Sequence, residues 1–388
     1  MDYGNRTVTS DRWSNPFPDL ILGHSMTIAM RATAFLLFVF TSTASPIYQV
    51  TSLGTLGGAW STAYRISNSG MVAGEALDDK QTRRAFLHNG ATMAALPGAS
   101  ESVAAGVNDA GTAAGTTHDA GRSQATVWIN GSPAPLPSLG GVDSWATSIN
   151  NQGHVVGAAT NAAGQGRAVV WIGGIPTDLG VGGTWSAAYG IDNTGRVTGY
   201  SEVSPGIFRG FVWSQSAGLA ILPTFGGWSS YAFDINSAGA VAGHASLPSG
   251  YLHAFRFDGN GLLDLGTLGG NASFAYGINR SGNVVGHSWL AGGNVTHAFL
   301  YAGGRMLDLN GLLAAGSGWE LTEAYGINDA GQIVGAGFYN GQQTAFRLDP
   351  VAGPMPPDTT ETPEPSTWTM LAAGVALLLG WRRRRAVG

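Results

Sequence analysis

Short hydrophobic runs alternate with glycine-rich turns along most of the chain, and one phrase recurs among them. "AYGINRSGNVVG" at residues 275–286 returns as "AYGINDAGQIVG" at residues 324–335, and looser copies lie upstream. Aligned on its first glycine, the phrase occurs seven times, at intervals of 41 to 49 residues. The aligned glycines are Gly70, Gly111, Gly153, Gly195, Gly239, Gly282 and Gly331. Seven copies at this spacing indicate a repeat protein.

Each copy predicts four short strands. The first ends at the Ile or Val of the phrase, and an alanine precedes that residue by three positions in every copy, as in "SAAYGI" (186–191). An "NxxG" turn follows, because Asn or Asp hydrogen-bonds to nearby backbone and Gly accepts a positive φ. The second strand reads "VVG" or "IVG", the third reads "HAFRF" at 253–257, and the fourth ends at a leucine such as Leu265. Four antiparallel strands in a unit of about 42 residues predict a propeller blade.

The two ends of the repeat region predict how the blades close. The last copy stops at "TAFRLD" (344–349) without a fourth strand, whereas "IYQVTSLGTLGG" (47–58) has the pattern of a fourth strand and its exit. Pairing the first segment with the last leaves no unpaired strand edge at the seam. The prediction is an all-β fold: a seven-bladed β-propeller over residues 46–349, closed by its N-terminal strand. A β-solenoid is the alternative.

The N-terminal part has the pattern of a targeting segment. Arg31 precedes an apolar run at residues 34–40, and the small residues Ser42 and Ala44 follow at the usual positions before a cleavage site. This is typical of a secretory signal peptide and is short for a membrane span. Residues 1–45 are therefore predicted to be an N-terminal extension and signal peptide.

The C-terminal part has the pattern of a second targeting segment. A Pro- and Thr-rich linker (350–362) precedes a Pro-Glu-Pro motif, an apolar stretch and a run of arginines. The motif residues are Pro363, Glu364, Pro365, Arg382, Arg383, Arg384 and Arg385. Residues 363–388 resemble a PEP-CTERM sorting signal; an ordinary tail anchor is the alternative.

This resemblance implies a partner and a location. The partner is an exosortase-type processing enzyme, and the apolar segment implies a transmembrane helix that anchors the chain before processing. The location is the cell surface or the extracellular space of a Gram-negative bacterium that makes exopolysaccharide, after transient anchoring in its inner membrane.

The repeats carry a resemblance of their own. "HAF" at 253–255 and 297–299, together with "DLGTLGG" and "GINxxGxVVG", resembles the HAF family of extracellular repeat proteins over residues 47–348. Other copies depart from the motif; Arg84-Ala85-Phe86, for example, replaces its histidine. The resemblance implies an extracellular location and a repeat fold, and it implies no biochemical activity.

Composition narrows the possible chemistry. The 388 residues include no cysteine, which excludes disulfides and thiolate sites. Between residues 46 and 365, acidic residues outnumber basic ones by 21 to 12. An acidic surface repels phosphate backbones, so nucleic acid is not an expected partner. The eight histidines show no metal-ligand spacing and no phosphate-binding loop occurs, so no metal and no cofactor are expected.

Aromatic residues near the exits from the fourth strands are the candidate ligand-binding residues. In a propeller blade these exits share a face with the loops between the second and third strands, here at 75–84, 116–124, 200–209 and 287–296, and loops on a rigid frame commonly bind ligands. Aromatic rings on a polar, acidic surface suit stacking on sugars, although they could instead cap the gaps between blades. The candidates are Trp60, Trp145, Trp185, Trp228, Phe274 and Trp319. The prediction is a non-catalytic module that binds extracellular polysaccharide.

Two alternatives remain at this point. A structural biofilm-matrix protein would have no saturable ligand. A glycan-active enzyme would need an acid/base pair of carboxylates across the ring. The candidates for such a pair are Asp78-Asp79, Asp119 with His118, and Glu320 with Glu323. Scattered loop carboxylates are more commonly solvated surface groups, so no catalytic residue is predicted.

Overall fold

The computed structural model describes residues 47–351 except Ala99 and Asn294. Within these residues the chain forms 28 β-strands and one 3-10 turn, Leu309–Leu312. The predicted signal peptide (1–45), residues 352–362 of the linker and the sorting signal (363–388) lie outside the described residues.

The strands form seven four-stranded antiparallel sheets, which are the predicted blades. Blade 1 holds β2 (Gly57–Ile66), β3 (Val72–Asp78), β4 (Arg83–His88) and β5 (Met93–Ala95). Blade 2 holds β6 (Glu101–Val107), β7 (Ala113–Asp119), β8 (Arg122–Ile129) and β9 (Ser132–Pro135). Blade 3 holds β10 (Gly140–Ile149), β11 (Val155–Asn161), β12 (Gly166–Ile172) and β13 (Ile175–Asp178).

The remaining blades repeat this order, except at the seam. Blade 4 holds β14 (Ser186–Ile191), β15 (Val197–Ser204), β16 (Ile207–Ser214) and β17 (Gly218–Ile221). Blade 5 holds β18 (Ser230–Ile235), β19 (Val241–Ser246), β20 (Leu252–Phe257) and β21 (Leu262–Asp264). Blade 6 holds β22 (Gly269–Ile278), β23 (Val284–Leu290), β24 (Thr296–Ala302) and β25 (Arg305–Asp308). Blade 7 holds β26 (Trp319–Ile327), β27 (Ile333–Tyr339), β28 (Gln342–Pro350) and β1 (Tyr48–Gly54).

The seam of the ring lies where the sequence predicted it. Strand β1 pairs antiparallel with β28, with Tyr48 opposite Pro350 and Val50 opposite Leu348. The N-terminal strand is therefore the fourth strand of the last blade. The seven-bladed propeller is confirmed, and the β-solenoid alternative is excluded.

The apolar core lies between the blades. The described residues hold seven hydrophobic clusters, each joining two consecutive blades. One of them packs Leu53 and Val334 of blade 7 against Ile66 and Phe86 of blade 1. Because burial of apolar surface drives association, every gap in the ring, including the seam, is held by the hydrophobic effect.

A recurrent serine adds a polar link across these gaps. This serine lies two residues before the invariant alanine, where the sequence indicates a small side chain in a crowded place. Its Oγ accepts the backbone N–H of a third-strand residue in the preceding blade, at 2.8 to 3.0 Å in six gaps. At the seam, Ala345 N donates to Ser61 Oγ. The small residue is thus also a hydrogen-bond acceptor that joins the sheets.

The HAF and DLG motifs form contacts within a blade. His253 Nδ1 lies 2.9 Å from an Asp264 carboxylate oxygen, and His297 Nδ1 lies 2.7 Å from Asp308. Each pair joins the first residue of a "HAF" motif to the aspartate before the leucine of the fourth strand. These histidines therefore tie the third strand to the fourth, outside the central channel.

Candidate functional site

A β-bulge interrupts the first strand of every blade just after the invariant alanine. In blade 6, for example, Ala275 pairs with Gly286 and Gly277 with Val285, so Tyr276 has no partner residue. A bulge re-aims the side chain of its extra residue. Here the seven re-aimed side chains line one cavity of about 200 Å³ on the central axis. We call this cavity the aromatic funnel; its bulge residues are Tyr64, Ala105, Thr147, Tyr189, Phe233, Tyr276 and Tyr325.

The bulge explains the glycine at the third position of each second strand. A Cβ at Gly286 would lie 1.9 Å from the carbonyl oxygen of Phe274 and 2.8 Å from the ring of Phe299. The equivalent glycines meet first-strand carbonyl oxygens at similar distances, for example Gly335 against Glu323 O at 1.9 Å. Only a residue without a side chain fits where the bulged strand approaches so closely.

The two sides of the funnel differ in the size of their side chains. Its rings form a continuous wall across blades 4, 5, 6, 7 and 1, whereas blades 2 and 3 contribute the small Ala105 and Thr147. Ring centroids lie 4.9 Å apart for Tyr189 and Phe233, and 5.5 Å apart for Phe233 and Tyr276. They lie 5.2 Å apart both for Tyr276 with Tyr325 and for Tyr325 with Tyr64. The side formed by blades 2 and 3 leaves the space that a ligand could occupy.

Two carboxylates support the wall from behind. Tyr64 donates its hydroxyl proton to Glu75 Oε1 at 2.6 Å, and Tyr325 donates to Glu323 Oε2 at 2.5 Å. Burial raises the pKa of the Glu75 carboxyl, and the hydrogen bond from Tyr64 opposes that rise. Burial also raises the pKa of both tyrosines, followed by the charges of their carboxylate partners. Both tyrosines therefore remain protonated donors.

Two histidines, the buried His244 and the half-buried His287, extend the wall toward the loops. His244 stacks on Phe233 with centroids 5.1 Å apart, and His287 stacks on Phe274 at 4.7 Å. Burial lowers the pKa of His244 to about 3, and burial also lowers the pKa of His287. Both rings are therefore neutral near pH 7 and add no positive charge.

Three polar atoms beside the funnel have no hydrogen-bond partner among the described residues. They are Glu75 Oε2, His244 Nδ1 and His287 Nδ1. Glu75 and His244 are each only 7% exposed. Native proteins pair most buried polar groups, and the exceptions mark strain or a missing partner. Two further unpaired atoms of the described residues, Thr198 Oγ1 and Ser201 Oγ, lie on the second strand of blade 4.

An ion pair forms the floor of the funnel. Arg65 of blade 1 reaches across the axis to Asp234 of blade 5, with an N–O distance of 2.9 Å. Its guanidinium also donates to the Tyr276 carbonyl at 3.4 Å, and Ile278 N donates to the same Asp234 oxygen at 3.1 Å. Arg65 lines both the funnel and the polar cup at the other end of the axis. The pair therefore divides the central channel into two compartments.

The polar cup lies where the first strands end, at the "NxxG" turns, and we call this side the asparagine face. In five blades the turn asparagine donates from Nδ2 to the backbone carbonyl of the equivalent residue in the next blade, at 2.8 to 3.3 Å. The donors are Asn108, Asn150, Asn236, Asn279 and Asn328. In blade 4, where Asp192 replaces asparagine, Arg196 bonds Asp192 and reaches the Ser237 carbonyl at 2.9 Å. The expected turn-forming role also holds, since Asn108 Oδ1 accepts Thr112 N at 3.0 Å.

A second set of bonds surrounds this cup, which has a volume of about 380 Å³. Asp109 N donates to Asn151 Oδ1 at 3.0 Å, and Asn151 N donates to Asn193 Oδ1 at 2.9 Å. Asp329 N donates likewise to Asn68 Oδ1 across the seam. The polar groups of this face are thus used to hold neighbouring blades together. No group of acidic or histidine side chains able to hold a metal ion is found among residues 47–98, 100–293 and 295–351.

The predicted rim aromatics lie at the opposite end of the axis from the asparagine face, and we call that end the funnel face. It carries the starts of the first strands, as shown by the bond from Gly227 N to Ser246 O beside the second-to-third-strand loop. Trp145 and Trp185 are neighbours, with ring centroids 6.1 Å apart, and Trp185 is 37% exposed. Trp228 is 70% exposed, and its backbone carbonyl accepts a hydrogen bond from Arg209.

The other three candidates have different surroundings. Phe274 belongs to the funnel wall through its stacking on His287. Trp60 is half-buried in β2. Trp319 stacks on Tyr339 at 5.0 Å beside the seam strand β1. The six residues therefore form a pair, a wall residue and isolated positions, not one continuous ring.

Of the candidate carboxylates, only Glu323 lies at the funnel. Asp78 caps a turn by accepting Lys80 N and Thr82 N at 2.9 Å. Asp119 and Glu320 are exposed. Asp119 lines a cavity with Arg122 and Gln124, and Glu320 lines a different one with Trp319 and Phe338.

Sequence reasoning did not identify the funnel itself. The bulge position reads Tyr, Ala, Thr, Tyr, Phe, Tyr, Tyr through the seven copies, between an invariant alanine and a small or polar residue. An alternating strand would place that side chain on a sheet face, and a bulge is not visible in period-2 alternation. The available signal was this variable, aromatic-rich column inside an otherwise uniform motif.

Comparison with known proteins supports the sorting signal and the fold. The PEP-CTERM protein-sorting motif matches residues 361–385. The motif marks an exported protein that is sorted to the surface, anchored at its C-terminus before exosortase processing. A search of curated protein sequences finds no match. In the part of the chain that is described, no helix is long and apolar enough to span a membrane.

Several solved structures share the fold at low identity. A puromycin-hydrolysing peptidase from Mycobacterium tuberculosis is 11% identical with a TM-score of 0.50, covering 81% of this chain and 56% of its own. TolB from Acinetobacter baumannii is 13% identical with a TM-score of 0.46, covering 74% and 64%. The gluconolactonase XC5397 from Xanthomonas campestris is 10% identical with a TM-score of 0.37, covering 80% and 93%. This chain thus spans less than two thirds of the first two proteins, and the similarity concerns the fold alone.

Proposed function

We propose that this surface-sorted protein is a non-catalytic binding module whose funnel face binds extracellular polysaccharide. The observation that carries the proposal is the exposure of large flat side chains on that face. Trp228 is 70% exposed, and Trp185, beside Trp145, is 37% exposed. Exposed aromatic surface on a rigid frame is typical of a place where a ligand binds.

The surroundings of these tryptophans suit a sugar. Beside Trp185, the hydroxyl of Thr184 donates to the carboxylate of Glu202. Aromatic rings together with hydroxyl and acidic groups match the apolar faces and hydroxyl edges of sugar rings. Export and surface sorting would place the module among extracellular polysaccharides. The resemblance of the repeats to HAF proteins agrees with that location.

A glycan array with the full chain, purified in detergent, tests the proposal. We expect binding to a subset of polysaccharides. Trp228→Ala should weaken that binding about tenfold, because truncating a central aromatic contact commonly costs at least about 1.4 kcal/mol. Ile175→Ala is the matched control, since Ile175 is also 70% exposed but lies on the outer strand β13.

The outcomes separate the alternatives. No binding to any polysaccharide, in a chain that retains its folded spectrum, would overturn the proposal and favour a structural matrix protein. Release of reducing sugar ends from a bound polysaccharide would indicate a glycan-active enzyme. Equal weakening by Trp228→Ala and Ile175→Ala would show that the tryptophan is not part of the site.

A further inference from the structure

The aromatic funnel has the chemistry of a cation site. Five of its seven bulge residues present aromatic rings, and the cavity they enclose is about 200 Å³. The face of an aromatic ring is negative, and several rings around one cavity attract an ammonium group. Tyr64 and Tyr325 each donate a hydrogen bond to a carboxylate, which increases the electron density of their rings.

The charges around the funnel also favour a cationic ligand. Glu75 and Glu323 lie behind the wall, and the neighbouring histidines are neutral. Arg65 forms the floor, but its charge is matched by Asp234 at 2.9 Å and by backbone carbonyls. Arg83, the other nearby cation, lies 3.7 Å from Glu75 and is shared with Glu101 at 3.1 Å. The excess charge is negative, which disfavours an anionic ligand.

The unpaired atoms narrow the type of cation. Glu75 Oε2 is a buried acceptor that has no hydrogen-bond donor among the described residues; its cationic neighbour Arg83 Nη1 lies 3.7 Å away, too far for a hydrogen bond. A quaternary ammonium has no N–H to offer, whereas a protonated primary amine has three donors. Such a group would bind the ring faces that line the cavity, in surroundings rich in acceptors and negative charge; Glu75 itself lies behind Tyr64 and is not part of that lining.

We infer that the aromatic funnel binds the protonated amino group of an amino sugar. This inference rests on the proposed function, and it specifies the ligand: a polysaccharide with free, non-acetylated amino groups. The rim tryptophans contact neighbouring sugar rings, while the small residues of blades 2 and 3 leave room for the amine-bearing ring to enter.

Ligand-observed NMR on the full chain in detergent tests the inference near neutral pH. The probes are glucosamine, N-acetylglucosamine and glucose at equal concentration. We expect saturation transfer to glucosamine, and at least about tenfold weaker binding of the other two, because they lose the cation–π attraction and the charged hydrogen bond. Equal binding of the three sugars would overturn the inference.

Two variants of Tyr276 test whether the glucosamine binding seen by NMR takes place in the funnel. Tyr276→Phe keeps the ring and should bind glucosamine nearly as wild type does. Tyr276→Leu removes the ring, and a loss of about 3- to 30-fold is expected from the cation–π range. Equal affinity of the two variants would exclude the funnel. Should Tyr276→Leu fail to fold, Glu323→Gln replaces it, with Asp258→Asn on an exposed outer turn as the charge-matched control.

The inference and the proposed function fail in different ways. Binding of polysaccharides on the array without any preference for glucosamine would refute the amine site and leave the proposed function standing. Binding of glucosamine in the funnel without binding of any polysaccharide would refute the proposed function and leave the amine site standing.

Discussion

The two ends of the central channel are built from the same seven strands, yet they differ in how their polar groups are used. On the asparagine face, side-chain amides bond backbone carbonyls of the next blade, at 3.0 Å for Asn150 with Asp192. At the funnel, Glu75 and His244 are each only 7% exposed, yet Glu75 Oε2 and His244 Nδ1 have no hydrogen-bond partner among the described residues.

This difference indicates which positions of a repeat protein can carry its function. The asparagine column is nearly uniform because each copy makes the same contact with its neighbour. The bulge column varies because its side chains leave the sheet and contact one another across the axis. Residues that satisfy all their neighbours stabilise the ring, whereas groups left unsatisfied at a cost in stability indicate a ligand.

The largest expected effect comes from abolishing the bulge that forms the funnel. Gly286→Ala would place a Cβ 1.9 Å from the Phe274 carbonyl, and the rigid backbone of two paired strands cannot yield. We expect the free energy of unfolding to fall by more than about 4 kcal/mol, or no folded protein at all. Chemical denaturation followed by circular dichroism measures this.

Gly195→Ala is the control for that change. Gly195 has a φ of +82° in a turn, with nothing within 4 Å of an added Cβ, so only backbone strain should count, at about 1 kcal/mol. Similar losses for the two variants would contradict the role assigned to close approach at the bulge.

The next largest effect concerns the asparagine face. Asn150→Ala removes the bond to blade 4 and the acceptor of Gln152 N and His154 N. With about 1 kcal/mol for each buried hydrogen bond, the free energy of unfolding should fall by about 3 kcal/mol. Glucosamine binding by the folded fraction should not change, because Asn150 lies below the Arg65–Asp234 floor.

Asn161→Ala isolates the inter-blade part of that loss. Asn161 accepts Ala163 N and Gln165 N in the same turn geometry, but its amide donates to Gln165 in its own blade. A loss as large as that of Asn150→Ala would show that the turn, and not the inter-blade bond, stabilises the ring.

A smaller change of opposite sign is expected at the funnel. Glu75→Gln removes a buried charge whose desolvation opposes folding, so the free energy of unfolding should rise by about 0.5–2 kcal/mol, while glucosamine binding weakens. A stability loss with unchanged binding would indicate a purely structural carboxylate.

The pH dependence of the stability of the Glu75→Gln variant tests whether ionised Glu75 destabilises the folded protein. The pKa of Glu75 is higher in the folded state than in the unfolded state, so protonation of Glu75 stabilises the folded protein. This stabilisation is complete below the unfolded-state pKa. It is lost as the pH rises through the folded-state pKa. The advantage of Glu75→Gln in thermal unfolding should therefore shrink as pH falls from neutral toward the ordinary glutamate range. The groups facing Glu75 are Tyr64, Arg83 and Glu101, of which only Glu101 could add a carboxylate titration there.

The smallest expected effect comes from a variant that extends the ring of hydrogen bonds on the asparagine face. At the position of Ser237, asparagine or aspartate in five other blades accepts the equivalent backbone N–H of the preceding blade, and serine has a shorter side chain. Ser237→Asn should raise the free energy of unfolding by about 0.5 kcal/mol without altering glucosamine binding. A destabilised variant would show that Arg196, which bonds the Ser237 carbonyl, already fills that space.

The sequence predicted the blades, their order and the seam, because each depends on a repeated local pattern. The spacing of "INxxG" gave seven units, and the unpaired first segment gave the partner of β28. The funnel could not be predicted in this way. It depends on a bulge that moves Tyr276 out of the ladder and on contacts between residues far apart in the chain, such as Tyr64 with Tyr325. Trp228 and Trp185 are exposed on the predicted face, and their role in binding stays a prediction.

Hydroxyl-radical footprinting of the full chain, with and without a saturating oligomer of glucosamine, tests the division of the channel most directly. The account predicts protection of Tyr276 and Tyr325 in the funnel, and unchanged reactivity of Met71 and His154, which lie in the turns of the asparagine face. Protection of Met71 and His154 with no change at Tyr276 and Tyr325 would contradict it.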